Sequence, residues 1–169
     1  IAIKQDMAEN YELDNVMNTL SKLLRPTIIP DTGKVFVVGD WSAIEGRVLP
    51  WLTNDPDAEV VLDVFRSGED IYMHTAAAMR IDDRFIGKVA TLALGYQGAV
   101  GAFNVMAKAY GLALPEAQVI AIVKKWRNAN QWAVNFWREC ERAVIKAMRK
   151  PATYVPCGRC QFIFIEGLI

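Results

Sequence analysis

Along residues 10–24 the apolar positions Leu13, Val16, Met17, Leu20, Leu23 and Leu24 recur at helical intervals, the mark of a helix with one apolar face. The pattern stops at Arg25-Pro26, because proline disfavours helical backbone in the residue before it. Pro30-Asp-Thr-Gly33 is turn chemistry. It leads into Lys34-Val-Phe-Val-Val-Gly-Asp40, an apolar, β-branched run that predicts a buried strand. Ser42 then predicts a helix N-cap, with Glu45 completing a capping box, and Pro50 predicts a kink in the helix that follows. From Asp57 onward the helical period is nearly continuous, over 57–66, 71–79, 83–96, 99–110, 115–127 and 131–149. Pro151 stops the last helix, and Thr153–Val155 with Gln161–Ile165 predict a closing hairpin. The expected class is α+β: a few strands from the two ends and a mostly helical insertion between them.

Composition sharpens this. At 169 residues, 53% hydrophobic and 22% charged, the chain owns a real core and is neither disordered nor fibrous. No apolar run approaches the roughly 20 residues of a membrane span. The opening Ile1-Ala-Ile-Lys-Gln-Asp lacks the order of a signal peptide and an initiator Met, which points to a fragment. Three cysteines, an odd number, fit a reducing, cytoplasmic compartment better than a disulfide scaffold. The zero net charge hides an asymmetry: residues 1–70 hold 6 Lys and Arg against 13 Asp and Glu, whereas residues 115–150 hold 8 against 3. An acidic first part joined to a basic second part suits cation binding beside phosphate contact, although two solvated faces look the same by charge alone.

Candidate chemistry starts at Asp40. A carboxylate closing a strand is a hard oxygen donor suited to Mg²⁺ that keeps water and substrate phosphate as ligands, and equally a strand-end turn residue. The surrounding string Asp40-Trp41-Ser42-Ala43-Ile44-Glu45-Gly46-Arg47 resembles the D-x-S-x-I-E-x-R signature, motif A, of family A DNA polymerases, the DNA polymerase I-like enzymes of bacteria and phages. By that resemblance Asp40 is one of two carboxylates holding a catalytic Mg²⁺ pair. Glu45 is the steric gate against a ribonucleotide's 2′-hydroxyl, and Arg47 serves the surrounding pocket.

Residues 84–96 form the second constellation. At about 100° per residue, Arg84, Lys88, Leu92 and Tyr96 advance around the helix in small steps and make one continuous stripe. Thr91 and Gly95 lie beside it and keep it low enough for a ligand to approach. Ile86, Val89, Ala90 and Ala93 lie opposite, toward the core. A cation at a helix start opposes the helix dipole, a penalty that a bound polyanion reverses. The same pattern also describes an ordinary amphipathic helix with two exposed cations. Arg84-x₃-Lys88-x₇-Tyr96-x-Gly98 resembles motif B, the fingers helix of the same family. That implies triphosphate contacts from Arg84 and Lys88, with Lys88 joining Asp40 as a catalytic residue, and Tyr96 on the base and template side.

Departures from the family pattern accompany the match. The usual aromatic four residues after the motif B lysine is Leu92, and the family's His after Asp-Ile is Tyr72. The loop from Arg80 to Arg84 is short. The His-Asp-Glu of motif C, carrying the second carboxylate, is missing, for His74, the sole histidine, precedes Thr75-Ala76. The resemblance therefore implies a phage-type fragment: residues 1–54 as part of the palm, 55–150 as helical fingers, and 151–169 as a hairpin returning toward the palm. Its implied partners are primer-template DNA, deoxynucleoside triphosphates and the remainder of the polymerase chain, without a membrane. The fragment alone is expected to be inactive. Glu45 argues against a single-subunit RNA polymerase, which needs room for the 2′-hydroxyl. The alternative from another class is a non-catalytic helical nucleic-acid-binding relic.

Other signals are weaker. Cys157-Gly-Arg-Cys160 has zinc-knuckle spacing, with Cys140 and His74 as the only further candidates, and reads better as a pair of hairpin thiols. Trp126, Trp132 and Trp137 lie among Lys124, Lys125, Arg127, Arg138 and Arg142, an arrangement of helix-packing anchors that could also stack single-stranded template.

Overall fold

In the computed structural model, which describes residues 13–166, the first amphipathic stripe forms α1, Leu13–Leu24, followed by a 3₁₀ turn at Arg25–Thr27. The expected start of that helix, residues 10–12, lies outside the described residues. The chain divides into two compact units, one ending at Asp40 and one beginning at Trp41.

In the first unit the structure corrects one expectation. Residues 34–40 form no strand, and Val35, Val37 and Val38 are each more than 80% exposed. A strand gains its stability from paired neighbours, and among the described residues none pairs with this run. An apolar, β-branched sequence supplies the propensity for a strand but not its partner.

The second unit is helical, as the periodicity implies. Its helices are α2 (Ile44–Thr53), α3 (Pro56–Ser67), α4 (Ile71–Ala78), α5 (Arg84–Leu94), α6 (Val100–Ala109), α7 (Glu116–Ala129) and α8 (Gln131–Arg149). The hairpin β1 (Val155–Cys157) and β2 (Cys160–Phe162) closes it, with Cys157 opposite Cys160. The α+β class holds, with the observed strands short and late in the chain. Three starts are capped by aspartates: Asp55 accepts from the Asp57 N–H, Asp70 from those of Tyr72 and Met73, and Asp83 from those of Phe85 and Ile86.

The predicted cap at Ser42 does not form. Ala43 precedes α2 in a left-handed conformation, and no side chain caps the helix. The Ser42 carbonyl instead accepts a hydrogen bond from Arg47 Nε at 2.9 Å, so this turn is organised around arginine rather than around the Ser42 hydroxyl.

The core gathers Val89, Ala90 and Leu94 of α5 with Met79, Phe103, Val119, Trp126, Trp132 and Phe136, all buried. The tryptophans anchor helix packing: Trp126 and Trp137 stack with ring centres 6.0 Å apart, and Trp137 Nε1 donates to the Gly95 carbonyl at 3.2 Å. Gly87 lets α4 and α5 touch, since a Cβ there would run into the Tyr72 carbonyl oxygen. No helix among the described residues is long and apolar enough to cross a membrane.

Candidate nucleotide site

The N-terminus of α5 is built by two aspartates. Asp83 caps the helix, and Asp70, itself the cap of α4, accepts a hydrogen bond from Arg84 Nε at 2.5 Å. The Arg84 hydrogen bond, helped by the Tyr72 and Met73 N–H groups, holds the Asp70 carboxyl below the ordinary carboxylate range despite some desolvation. The cation that the helix dipole disfavours thus has a carboxylate partner in place. The Arg84 guanidinium also lies over the Tyr72 ring, 5.1 Å from its centre.

Lys88, one turn on, is half-buried rather than exposed. Its ammonium sits 4.4 Å from the centre of the Tyr110 ring, and Tyr110 meets Phe85 edge-on at 5.7 Å. A cation over a ring face is held without being neutralised, which leaves its charge for an anion. Arg47, expected to serve the pocket, is packed: its guanidinium lies 4.0 Å over the Phe65 ring. Arg47 and Arg84 converge on one shallow cavity, of about 250 Å³, together with Phe65, Asp70 and Tyr72.

Glu45 and Tyr96 meet elsewhere, at a larger cavity of about 410 Å³ whose wall includes Leu49, His74, Thr91 and Trp132. Partial burial first, and the Glu45 carboxylate second, hold the Tyr96 phenol above its ordinary pKa. Thr91 and Gly95, expected to clear space for a ligand, line this cavity while also packing: Thr91 Oγ1 lies 3.0 Å from Thr75 Oγ1 on α4, and Gly95 abuts Leu49 of α2. Leu92 is half-buried and lines neither cavity.

Asp40 is the exposed last residue of the first unit. No group of three or more His, Cys, Asp or Glu side chains that could hold a metal ion occurs among the described residues. The described residues therefore do not by themselves make a Mg²⁺ site. The thiols also gather no metal set. Cys140 Sγ lies 3.5 Å from Cys157 Sγ, and burial pushes the Cys157 thiol up to about 12, which keeps it protonated.

Sequence reasoning missed Asp70, Tyr110 and Phe65, the partners of Arg84, Lys88 and Arg47. Asp70 was legible as a cap at the start of an apolar helix. Its pairing with a residue 14 positions on is a product of helix packing.

No protein-family model matches the chain, and no solved structure matches it. The chain is similar to a DNA polymerase of Bacillus phage SP02, at 43% identity over 160 residues that cover 89% of this chain. The matched stretch covers 24% of that polymerase, so the chain spans about a quarter of the relative it resembles.

Proposed function

We propose that this chain is the nucleotide-binding part of a template-directed, phage-type DNA polymerase of family A, combining a portion of the palm with the fingers. The parent enzyme would transfer deoxynucleotides from their triphosphates to a primer 3′-hydroxyl. The observation that carries the reading is the cationic face of α5, with Arg84 and Lys88 one turn apart, in a chain 43% identical to a phage DNA polymerase.

Each residue has a task in this reading. Arg84 and Lys88 bind the triphosphate through charge-assisted contacts, with the phosphate replacing or joining Asp70 on Arg84. The Tyr110 ring holds the Lys88 ammonium in place without cancelling its charge. Glu45 excludes a 2′-hydroxyl and Tyr96 beside it lines the base and template side; Leu92, outside both cavities, would meet the sugar without offering it a hydrogen bond. Tyr72 supports Arg84, and Arg47 shares a cavity with it. Asp40 would supply one oxygen ligand to the Mg²⁺ pair, whose chemistry is to activate the primer hydroxyl and neutralise the leaving phosphates. The further ligands belong elsewhere in the longer polymerase, and the chain alone is inactive. Its working place would be the cytoplasm of the host cell, on primer-template DNA.

The test is nucleotide binding by this chain. A fluorescent deoxynucleoside triphosphate should bind weakly and lose affinity as salt rises. Converting Arg84 and Lys88 together to Gln should lower affinity at least tenfold, about 1.4 kcal/mol, with the circular dichroism of the fold retained. Equal binding by the double variant would remove the triphosphate from this face.

A further inference from the structure

We infer that the hairpin turn Gly158-Arg159 positions α2, and through it the Glu45 carboxylate; the inference rests on the proposed role of Glu45 as the gate against ribonucleotides. A helix leaves its last four carbonyls without intrahelical donors. In α2 the first of these, Pro50, accepts from Thr53 Oγ1 at 2.8 Å. The next two are served from far along the chain. Arg159 Nε donates to the Trp51 carbonyl at 2.9 Å across 108 residues of sequence, and the Arg159 backbone N–H donates to the Leu52 carbonyl at 2.8 Å. The guanidinium also lies 5.2 Å from the centre of the Trp51 ring, and it sets a cation at the negative end of the helix dipole.

Gly158 makes the approach possible. Its φ is +54°, and a Cβ there would run into the Leu52 carbonyl and crowd the Thr53 carbonyl and the Phe136 ring. The turn is seated directly on the helix end. Its foundation is firm, because Val155 and Cys157 are buried and the Cys157 thiol rests against Cys140 of α8.

The opposite end of α2 has no side-chain cap and is held by the Arg47 bond to the Ser42 carbonyl and by Arg47 packing on Phe65. Ala43 occupies its N-cap at φ 49°, without a side-chain hydrogen bond. Pro50, inside the helix, lacks the N–H that would bond the Gly46 carbonyl, so α2 is short of an internal bond as well. With Pro50 breaking its internal ladder, α2 depends on the hairpin to fix the end opposite Glu45. Arg159 is therefore a positioning residue that acts on Glu45 through α2, and it touches no substrate.

The test uses Arg159→Ala and Arg159→Lys, at an exposed position where the fold tolerates change. In this chain, Arg159→Ala should accelerate amide exchange in α2 about tenfold while the α7 amides keep their parent rates. Arg159→Lys, which retains the charge, should recover part of that protection. In the full polymerase, Arg159→Ala should lower the preference for deoxy- over ribonucleotides about fivefold, with kcat/KM for deoxynucleotides falling less than that preference. Unchanged exchange in α2 overturns the clamp. Loosened α2 with an unchanged preference, in an enzyme whose Glu45→Ala variant does lose preference, overturns the positioning role. If Glu45→Ala itself leaves the preference unchanged, the gate reading fails instead, and amide exchange alone decides the clamp.

Discussion

Helix α5 starts on a cap from the residue just before it, Asp83, and lies against α4 through its own Gly87. Helix α2 starts without a side-chain cap, on a left-handed Ala43, and ends under a hairpin contributed more than a hundred residues later. Both carry candidate site residues. The start of α5 is fixed locally, by Asp83, whereas two of the last carbonyls of α2 are served from the distant hairpin. The start of α5 can therefore be read from its neighbours, and the far support of α2 cannot.

The contrast is open to direct attack, most severely at Gly87. Gly87→Ala puts a methyl into the Tyr72 carbonyl, and because neither backbone can yield cheaply it should cost about 3 kcal/mol, read from urea denaturation. Gly158→Ala comes next: a positive φ and a crowded site together should cost about 2 kcal/mol. The two should differ in where they loosen the molecule. Amide exchange should rise in α4 and α5 for the first variant and in α2 for the second.

Caps supply a finer measurement. Asp83→Ala should destabilise by about 1 kcal/mol, whereas Ser42→Ala should change stability by less than about 0.5 kcal/mol, since the Ser42 side chain caps nothing. A costly Ser42→Ala would restore the capping box and erase the contrast between the two helices.

The smallest effect concerns pH. Asp70 has its carboxyl held down by Arg84 and by the Tyr72 and Met73 N–H groups, so folding favours its ionised form. Its contribution is complete above the unfolded carboxylate value of about 4 and is lost as pH falls through the lower folded value. Asp70→Asn keeps an amide oxygen for capping but cannot titrate. Its stability should decline less steeply on the acid side than the parent's, as measured by thermal melts below neutral pH.

How much of this was legible depends on the range of the interaction that decides each feature. The segments 57–66 and 131–149 read as helices from their period alone, and α3 (Pro56–Ser67) and α8 (Gln131–Arg149) follow them closely. The alternation that buries Val89, Ala90 and Ala93 while leaving Arg84 outside was equally readable. Residues 34–40 read as a strand on the same kind of evidence and are not one, because a helix closes its hydrogen bonds within itself and a strand borrows them from a neighbour. The Arg84–Asp70 pair, the Lys88–Tyr110 contact and the Arg159 clamp were invisible for a related reason. Each joins residues on separate elements, and a single sequence holds no record of which elements meet.

By itself, then, the sequence determined the helical content, the apolar face of α5 and the cationic face that faces away from the core. All of these depend on residues within a few positions of one another, where backbone geometry converts spacing directly into direction. Tertiary structure alone decided that Arg47 and Arg84 share one cavity while Glu45 and Tyr96 share another, and that the hairpin serves the Trp51 and Leu52 carbonyls of α2. Those outcomes depend on how helices pack and which side chains fill the spaces between them, and packing is selected by the whole core at once.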